Sequence, residues 1–163
     1  MVNTVRYARV VGGAVAFFVG LSGCAGNAEP CGGVGVVAQV GVFFAQDGYD
    51  GLAGASVRLC AHGRCVEDRI PAEDVTSVRL PLPDDIGPDL GTVRFRVTRK
   101  GSTKPFIDAS TDKRLSHQSD GCGGGAYSGA LAFTKEGGLT ATVPKSVSDA
   151  WIKQVRAGAS RRA

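Results

Sequence analysis

Hydrophobic and polar residues alternate along much of the chain beyond residue 33. An apolar run broken only by Gln39 occupies 35–44, and the alternating segments are 57–59, 78–82, 93–97 and 127–133. A period of two places successive side chains on opposite faces of a strand. Turn-forming residues, as at 47–51, separate these segments. The pattern predicts an all-β domain over residues 34–144, built as a single antiparallel β-sandwich.

Two segments depart from this alternation. Residues 100–120 are polar and ambiguous, and they predict at most one edge strand near 106–108. Residues 145–163 are basic, and Ser146 and Asp149 are suitable capping residues for a short helix that would include Trp151, Ile152 and Val155. A frayed tail over residues 157–163 is expected. The tail is either solvated or in contact with anionic lipid or wall polymer.

The N-terminus reads as a targeting segment. Arg6 and Arg9 precede an uncharged run over 10–21 that is too short for the roughly 20 apolar residues of a spanning helix. Residues 1–23 are therefore predicted to be a signal peptide. The alternatives are an ordinary secretory signal that is followed by a cysteine by chance, and an uncleaved membrane anchor.

The end of that segment, Leu21-Ser22-Gly23-Cys24, resembles the lipobox of bacterial lipoproteins. The resemblance implies a diacylglyceryl thioether on Cys24 Sγ and cleavage before Cys24, which leaves 24–33 as a tether. The protein would then be exported and lipid-anchored to the outer face of the bacterial cytoplasmic membrane, with membrane lipid as a partner. The high Arg and Gly content suggests a GC-rich bacterium such as an actinomycete.

Four further cysteines predict a disulfide framework outside the cytoplasm. Cys60 and Cys65 flank a sequence whose centre, His62-Gly63, suits a two-residue hairpin turn. That turn makes the two cysteines a directly opposed pair within disulfide range. Cys31 and Cys122 are left to pair with each other. A metal site that combines these thiols with a histidine is the alternative, although the spacing lacks paired CxxC motifs.

One stretch suggests a family for the body of the chain. Residues 51–59, followed by 92–97, resemble the rhythm of transthyretin-like and carboxypeptidase-regulatory-like sandwich modules. Those modules are mostly non-enzymatic, so the resemblance implies adhesion, binding or spacing. The Cys60–Cys65 hairpin departs from that pattern.

Catalytic chemistry has one candidate segment. Residues 116–120 contain Ser116, His117 and Asp120, the residue types of a hydrolase triad. Members of a triad meet in space with an oriented base, which neighbours on one polar loop seldom do. The chain contains no GxSxG or HExxH motif. An atypical hydrolase or metal-dependent enzyme using the His117/Asp120 loop is therefore the alternative function, and no cofactor is predicted.

Charge supplies two further candidate sites. Asp84, Asp85 and Asp89 could offer oxygen ligands to calcium, although aspartates are common in turns for their own hydrogen bonds. A basic sheet face for an anionic polymer is predicted from the strand parity of four residues: Arg58, Arg79, Arg94 and Arg96. The alternative is a solvated face neutralised by four acidic residues: Glu67, Asp68, Glu73 and Asp74.

These observations predict a non-enzymatic binding or accessory module of the cell envelope. Its partner is expected to be an envelope protein or an anionic wall polymer. The formal net charge of +4 is too small to indicate a nucleic-acid partner. A soluble-ligand carrier is a further alternative, although a small domain with few aromatic residues leaves little room for a deep pocket.

Overall fold

The computed structural model describes residues 35–160, which form nine strands and one helix. The strands are β1 (Gln39–Ala45), β2 (Ser56–Ala61), β3 (Arg64–Arg69), β4 (Val75–Pro81), β5 (Asp89–Thr98), β6 (Ile107–Arg114), β7 (Ser116–Ser119), β8 (Gly125–Thr134) and β9 (Gly138–Thr140), and the helix is α1 (Lys145–Ser160). The predicted all-β class is confirmed.

The strands form two sheets. Sheet A has the order β4-β1-β8-β7, with β9 also paired to β8, and sheet B has the order β3-β2-β5-β6. Every strand pair is antiparallel except β1 and β8, which run parallel. The prediction of a purely antiparallel arrangement is wrong at this pair. Alternation predicts which face a side chain occupies, but it is the same for either strand direction.

The inner faces of both sheets contribute to one hydrophobic core. Phe44 of β1 lies at its centre, with its ring centroid 5.6 Å from that of Phe95 in sheet B and 5.8 Å from that of Phe133 in β8. Phe44 and Phe95 are fully buried. Burial of such a side chain contributes about 1.5–3 kcal/mol, so this cluster provides much of the drive for folding.

The segment that the sequence left ambiguous supplies two strands. The predicted strand near 106–108 is confirmed by β6, which is longer than expected and ends at Arg114. The second strand, β7, was not predicted, because all four of its residues are exposed and polar. Such a strand carries no hydrophobic alternation and is held by its pairing with β8.

Helix α1 packs against sheet A rather than fraying. Val147 is buried with Val75 and Ala132, and the Trp151 ring meets the Phe43 ring edge-on at 5.6 Å. The helix continues to Ser160, and residues 157–160, where a frayed tail was expected, are its exposed last turn. Residues 161–163 of the predicted tail lie outside the described residues.

Candidate functional site

The predicted hairpin is confirmed in detail. Cys60 pairs with Cys65 in the β2–β3 register and is bonded to it, with 4.1 Å between the Cα atoms. His62 and Gly63 form the turn with φ values of 50° and 72°. Positive φ at both central residues is the geometry of a type I′ hairpin. His62 therefore has a structural role as a turn residue.

Of the other predicted cysteine sites, only Cys122 lies among the residues that the structure describes. Cys122 lies in the turn between β7 and β8, where its backbone N–H donates to Asp120 at 2.7 Å. Cys31, its predicted disulfide partner, lies outside the described residues. So do Cys24, the signal peptide over 1–23 and the tether as far as residue 33. The Cys31–Cys122 bond and the lipidation of Cys24 remain predictions.

His117 and Asp120 belong to separate local structures. The His117 ring lies 5.3 Å from the Tyr127 ring on β8 and close above Gly125. The Asp120 carboxylate accepts backbone hydrogen bonds from Cys122 and Gly124, at 2.7 and 3.0 Å. Within the described chain, no hydrogen bond joins His117 to Asp120. The carboxylate thus stabilises a glycine-rich turn and does not orient the imidazole, as a triad requires.

The predicted basic face divides between the two sheets. Arg58, Arg94 and Arg96 lie on the outer side of sheet B, whereas Arg79 lies on sheet A. Asp108 of β6 binds Arg94 through two hydrogen bonds of 2.8 and 2.7 Å, and Arg96 lies 3.2 Å from the same carboxylate. Hydrogen bonding by Arg94, followed by that of Arg96, lowers the pKa of Asp108 to about 2.

Neutralisation of this face therefore comes mainly from a residue that the sequence did not single out. Glu67 is one of the acidic residues that were predicted to neutralise the arginines. It lies opposite Arg58 in the strand register but accepts a hydrogen bond from Ser56. Glu73 accepts one from Gln154 of the helix. The result is a largely compensated row of charges across sheet B.

The acidic loop over 84–89 shows no cluster suited to a cation. Its last residue, Asp89, pairs with Arg114 at 3.2 Å. Across residues 35–160 there is no group of three or more His, Cys, Asp or Glu side chains placed to hold a metal ion.

The outer face of sheet A carries a groove of about 600 Å³. Its floor is formed by outward-facing residues of β1 and β8, and β4, β7, Lys113 and the segment after β9 form its sides. The polar side chains that line it are Gln39, Ser77, Arg79, Lys113, Ser116, Gln118, Ser128 and Thr142. We call this site groove A.

The strand register aligns three of these polar residues across neighbouring strands. Gln39 of β1 is paired with Ser128 of β8, and Ser128 is paired with Ser116 of β7. Paired residues point to the same side of a sheet, at a strand spacing of about 4.8 Å. Gly41 lies opposite Arg79 in the strand register. Because glycine has no side chain, the groove is deeper between this row and Arg79.

Two cations flank groove A. Arg79 is exposed, whereas Lys113 is half-buried and its Nζ donates a hydrogen bond to the Ala141 carbonyl at 2.7 Å. Burial lowers the pKa of Lys113. Neither side chain takes part in an ion pair within residues 35–160. Among the described residues, no carboxylate lines groove A. Groove A is therefore a polar site with uncompensated positive charge.

Sequence reasoning identified Arg79 but not the rest of groove A. Gln39 was noted only as an interruption of an apolar run and Ser116 only as a candidate member of a hydrolase triad, whereas Gln118 was not singled out. The available signal was strand parity, which places Ser116 and Gln118 on the side opposite His117.

No protein-family model matches the chain, and no match was found among curated proteins or solved structures. The resemblance to transthyretin-like modules therefore remains an expectation. In the described part of the chain, no helix has the length and apolar character needed to cross a membrane.

Proposed function

We propose that the protein is an exported bacterial lipoprotein, tethered through acylated Cys24, that acts as a non-enzymatic binding or accessory module of the cell envelope. The lipobox at residues 21–24 is the sequence feature that supports anchoring. The observation that supports export is the Cys60–Cys65 disulfide. Disulfides persist in oxidising compartments and are rare in the bacterial cytosol.

The proposed module is a single β-sandwich. Sheets A and B share one core, and aromatic rings from the two sheets meet at its centre, as in the Phe44–Phe95 contact. Two inner faces that interdigitate in this way are the defining feature of sandwich packing. A rigid scaffold of this kind presents its outer faces and loops for binding.

The partner is proposed to be a component of the envelope, either a protein or an anionic wall polymer. Two features support a binding role. Groove A offers polar groups and positive charge on an accessible face. The candidate catalytic residues His117 and Asp120 have other contacts, to Tyr127 and to the turn before β8.

The anchoring part is tested by expressing the full chain with Cys24→Ala in a bacterial host. We expect loss of fatty-acid labelling and release from the membrane fraction, because the acyl chains are the anchor and each buried CH₂ contributes about 0.8 kcal/mol. A matched control is the double variant Cys60→Ala/Cys65→Ala, which removes two other cysteines and their disulfide but leaves the lipobox, and which should remain labelled. Labelling that persists in Cys24→Ala refutes the lipoprotein assignment.

A further inference from the structure

We propose that groove A binds an acidic saccharide, a segment of glycan that carries carboxylate or phosphate groups. This inference rests on the proposed function as an envelope-binding module and names the ligand class and the site. It is carried by the combination of charge, hydrogen-bonding groups and shape on the outer face of sheet A.

The charge distribution favours an anionic ligand. Arg94 and Arg96 on sheet B are already engaged by Asp108, whereas Arg79 and Lys113 have no carboxylate partner within residues 35–160. A guanidinium group matches carboxylate and phosphate oxygens in a bidentate geometry. Lys113 Nζ is held at the groove wall by its bond to Ala141 and retains further donor capacity.

The neutral polar groups favour a polyhydroxylated ligand over a simple anion. Gln39, Ser128 and Ser116 form a row across three strands at regular spacing. Amides and hydroxyls both donate and accept hydrogen bonds, so they match sugar hydroxyls, which do the same. A small inorganic anion would contact one cation and leave most of the 600 Å³ groove unfilled.

The shape of the site argues against other polymers. A peptide that binds by strand addition needs an open sheet edge, whereas groove A lies on the face of sheet A. Single-stranded nucleic acid needs aromatic side chains that are available for stacking. The only aromatic residue that lines groove A in the described chain is Phe43, and its ring already packs against Trp151.

The test uses the purified full chain in detergent, so that binding is measured independently of membrane anchoring. The probes are hexagalacturonate as the acidic oligosaccharide, maltohexaose as its uncharged counterpart and inorganic phosphate as the simple anion. Binding is measured by isothermal titration calorimetry at low and at physiological ionic strength. We expect hexagalacturonate to bind at least about 10-fold more tightly than either of the other two probes.

Two variants and a matched control locate the site. Arg79→Gln removes the charge and should weaken hexagalacturonate binding about 10- to 100-fold, the range expected for a charge-assisted contact. Arg58→Gln is the matched control, an exposed strand arginine on sheet B, and should change affinity less than about 2-fold. Gly41→Leu should also abolish binding without any change of charge, because its side chain would fill the floor of groove A.

The fold should tolerate the Gly41 substitution. A Cβ atom at this position meets the Val78 carbonyl oxygen at 3.5 Å and Arg79 Cγ at 3.6 Å, which are ordinary contacts. Thermal melts of the variant would verify this. If Gly41→Leu unfolds, the Arg79→Gln and Arg58→Gln comparison still decides the question.

Each contrary result refutes a definite part of the proposal. Equal losses in Arg79→Gln and Arg58→Gln would show general charge attraction and not a site. Equal affinity for maltohexaose would exclude charge recognition, and equal affinity for inorganic phosphate would exclude recognition of the saccharide. Absence of binding to any probe would overturn the groove proposal while leaving the anchor at Cys24 to be judged by its own labelling experiment.

Discussion

Two valines on helix α1 provide a direct test of how the helix is held. Val147 is 4% exposed and packs against Val75 and Ala132, whereas Val155 is 50% exposed. The same substitution, valine to alanine, can be made at both positions of one helix. Only the first change removes methyl groups from the contact with sheet A.

The expected magnitudes follow from burial and helix propensity. Val147→Ala removes the equivalent of two buried methylene groups, about 1.6 kcal/mol, and the cavity left behind adds to this loss. Alanine favours the helix over valine by about 0.6 kcal/mol at either site. We therefore expect Val147→Ala to destabilise by about 1–2 kcal/mol, and Val155→Ala, which loses little buried surface, to be neutral or to stabilise by up to about 0.6 kcal/mol.

The chain contains a single tryptophan, which makes the assay simple. Trp151 lies on α1 and its ring packs against Phe43, so its fluorescence reports docking of the helix. Thermal unfolding followed by this fluorescence should shift down by about 5 °C in Val147→Ala and remain near wild type in Val155→Ala. The far-ultraviolet dichroism of the sheets, recorded in parallel, shows whether the helix leaves before the sheets unfold.

The hypothesis of a docked helix is refuted if the two variants melt alike. Coinciding melts would mean that packing of Val147 against β4 and β8 contributes nothing to the stability of the protein. A Trp151 emission maximum already typical of exposed indole in the wild type would lead to the same conclusion.

Three further predictions concern charge, the hairpin bond and the candidate base. Hydrogen bonding from Arg94 lowers the pKa of Asp108 to about 2, so the stabilising contribution of the Asp108 carboxylate should be complete above about pH 4 and be lost as the pH falls towards 2. The melting temperatures of wild type and Asp108→Asn should therefore converge across that window. A difference in melting temperature that stays constant with pH would contradict this. Replacement of Cys60 and Cys65 by serine should destabilise by about 2 kcal/mol on the chain-entropy model, whereas complete loss of folding in the melts would show a larger role. His117→Ala should leave hexagalacturonate binding unchanged within about 2-fold, because strand parity directs this residue away from Ser116 and Gln118; a loss of binding in a folded variant would place the imidazole in the site.

Much of the local structure follows from neighbouring residues alone. The hairpin at Cys60–Cys65 was predictable because His62-Gly63 determines both the turn and the opposed pair within six residues. The short strands were predictable because hydrophobic alternation is a local property of each segment. The ionic partner of Arg94 and Arg96 was not, because Asp108 lies in a polar segment with only a weak strand signal, and its register with β5 is a long-range fact.

The helix shows the same division. A helix after residue 144 was expected from capping and composition, with Trp151, Ile152 and Val155 as its apolar residues. Tertiary packing instead buries Val147 and uses Gln154, whose amide bonds both the N–H and the C=O of Val75. Ile152 and Val155 remain 44% and 50% exposed, because the helix meets sheet A through its other side.

The sequence by itself determined the strands that carry hydrophobic alternation, the position of the β2–β3 hairpin turn and the cysteines that this hairpin joins. Only the tertiary structure decided that β1 and β8 run parallel, that Asp108 neutralises sheet B, and that groove A lies between Arg79 and Lys113. The reason is that turns and alternation act between residues close in sequence. Strand direction, register and the assembly of a groove from five strands depend on contacts between residues far apart in the chain, whose free energies are comparable for many alternative pairings.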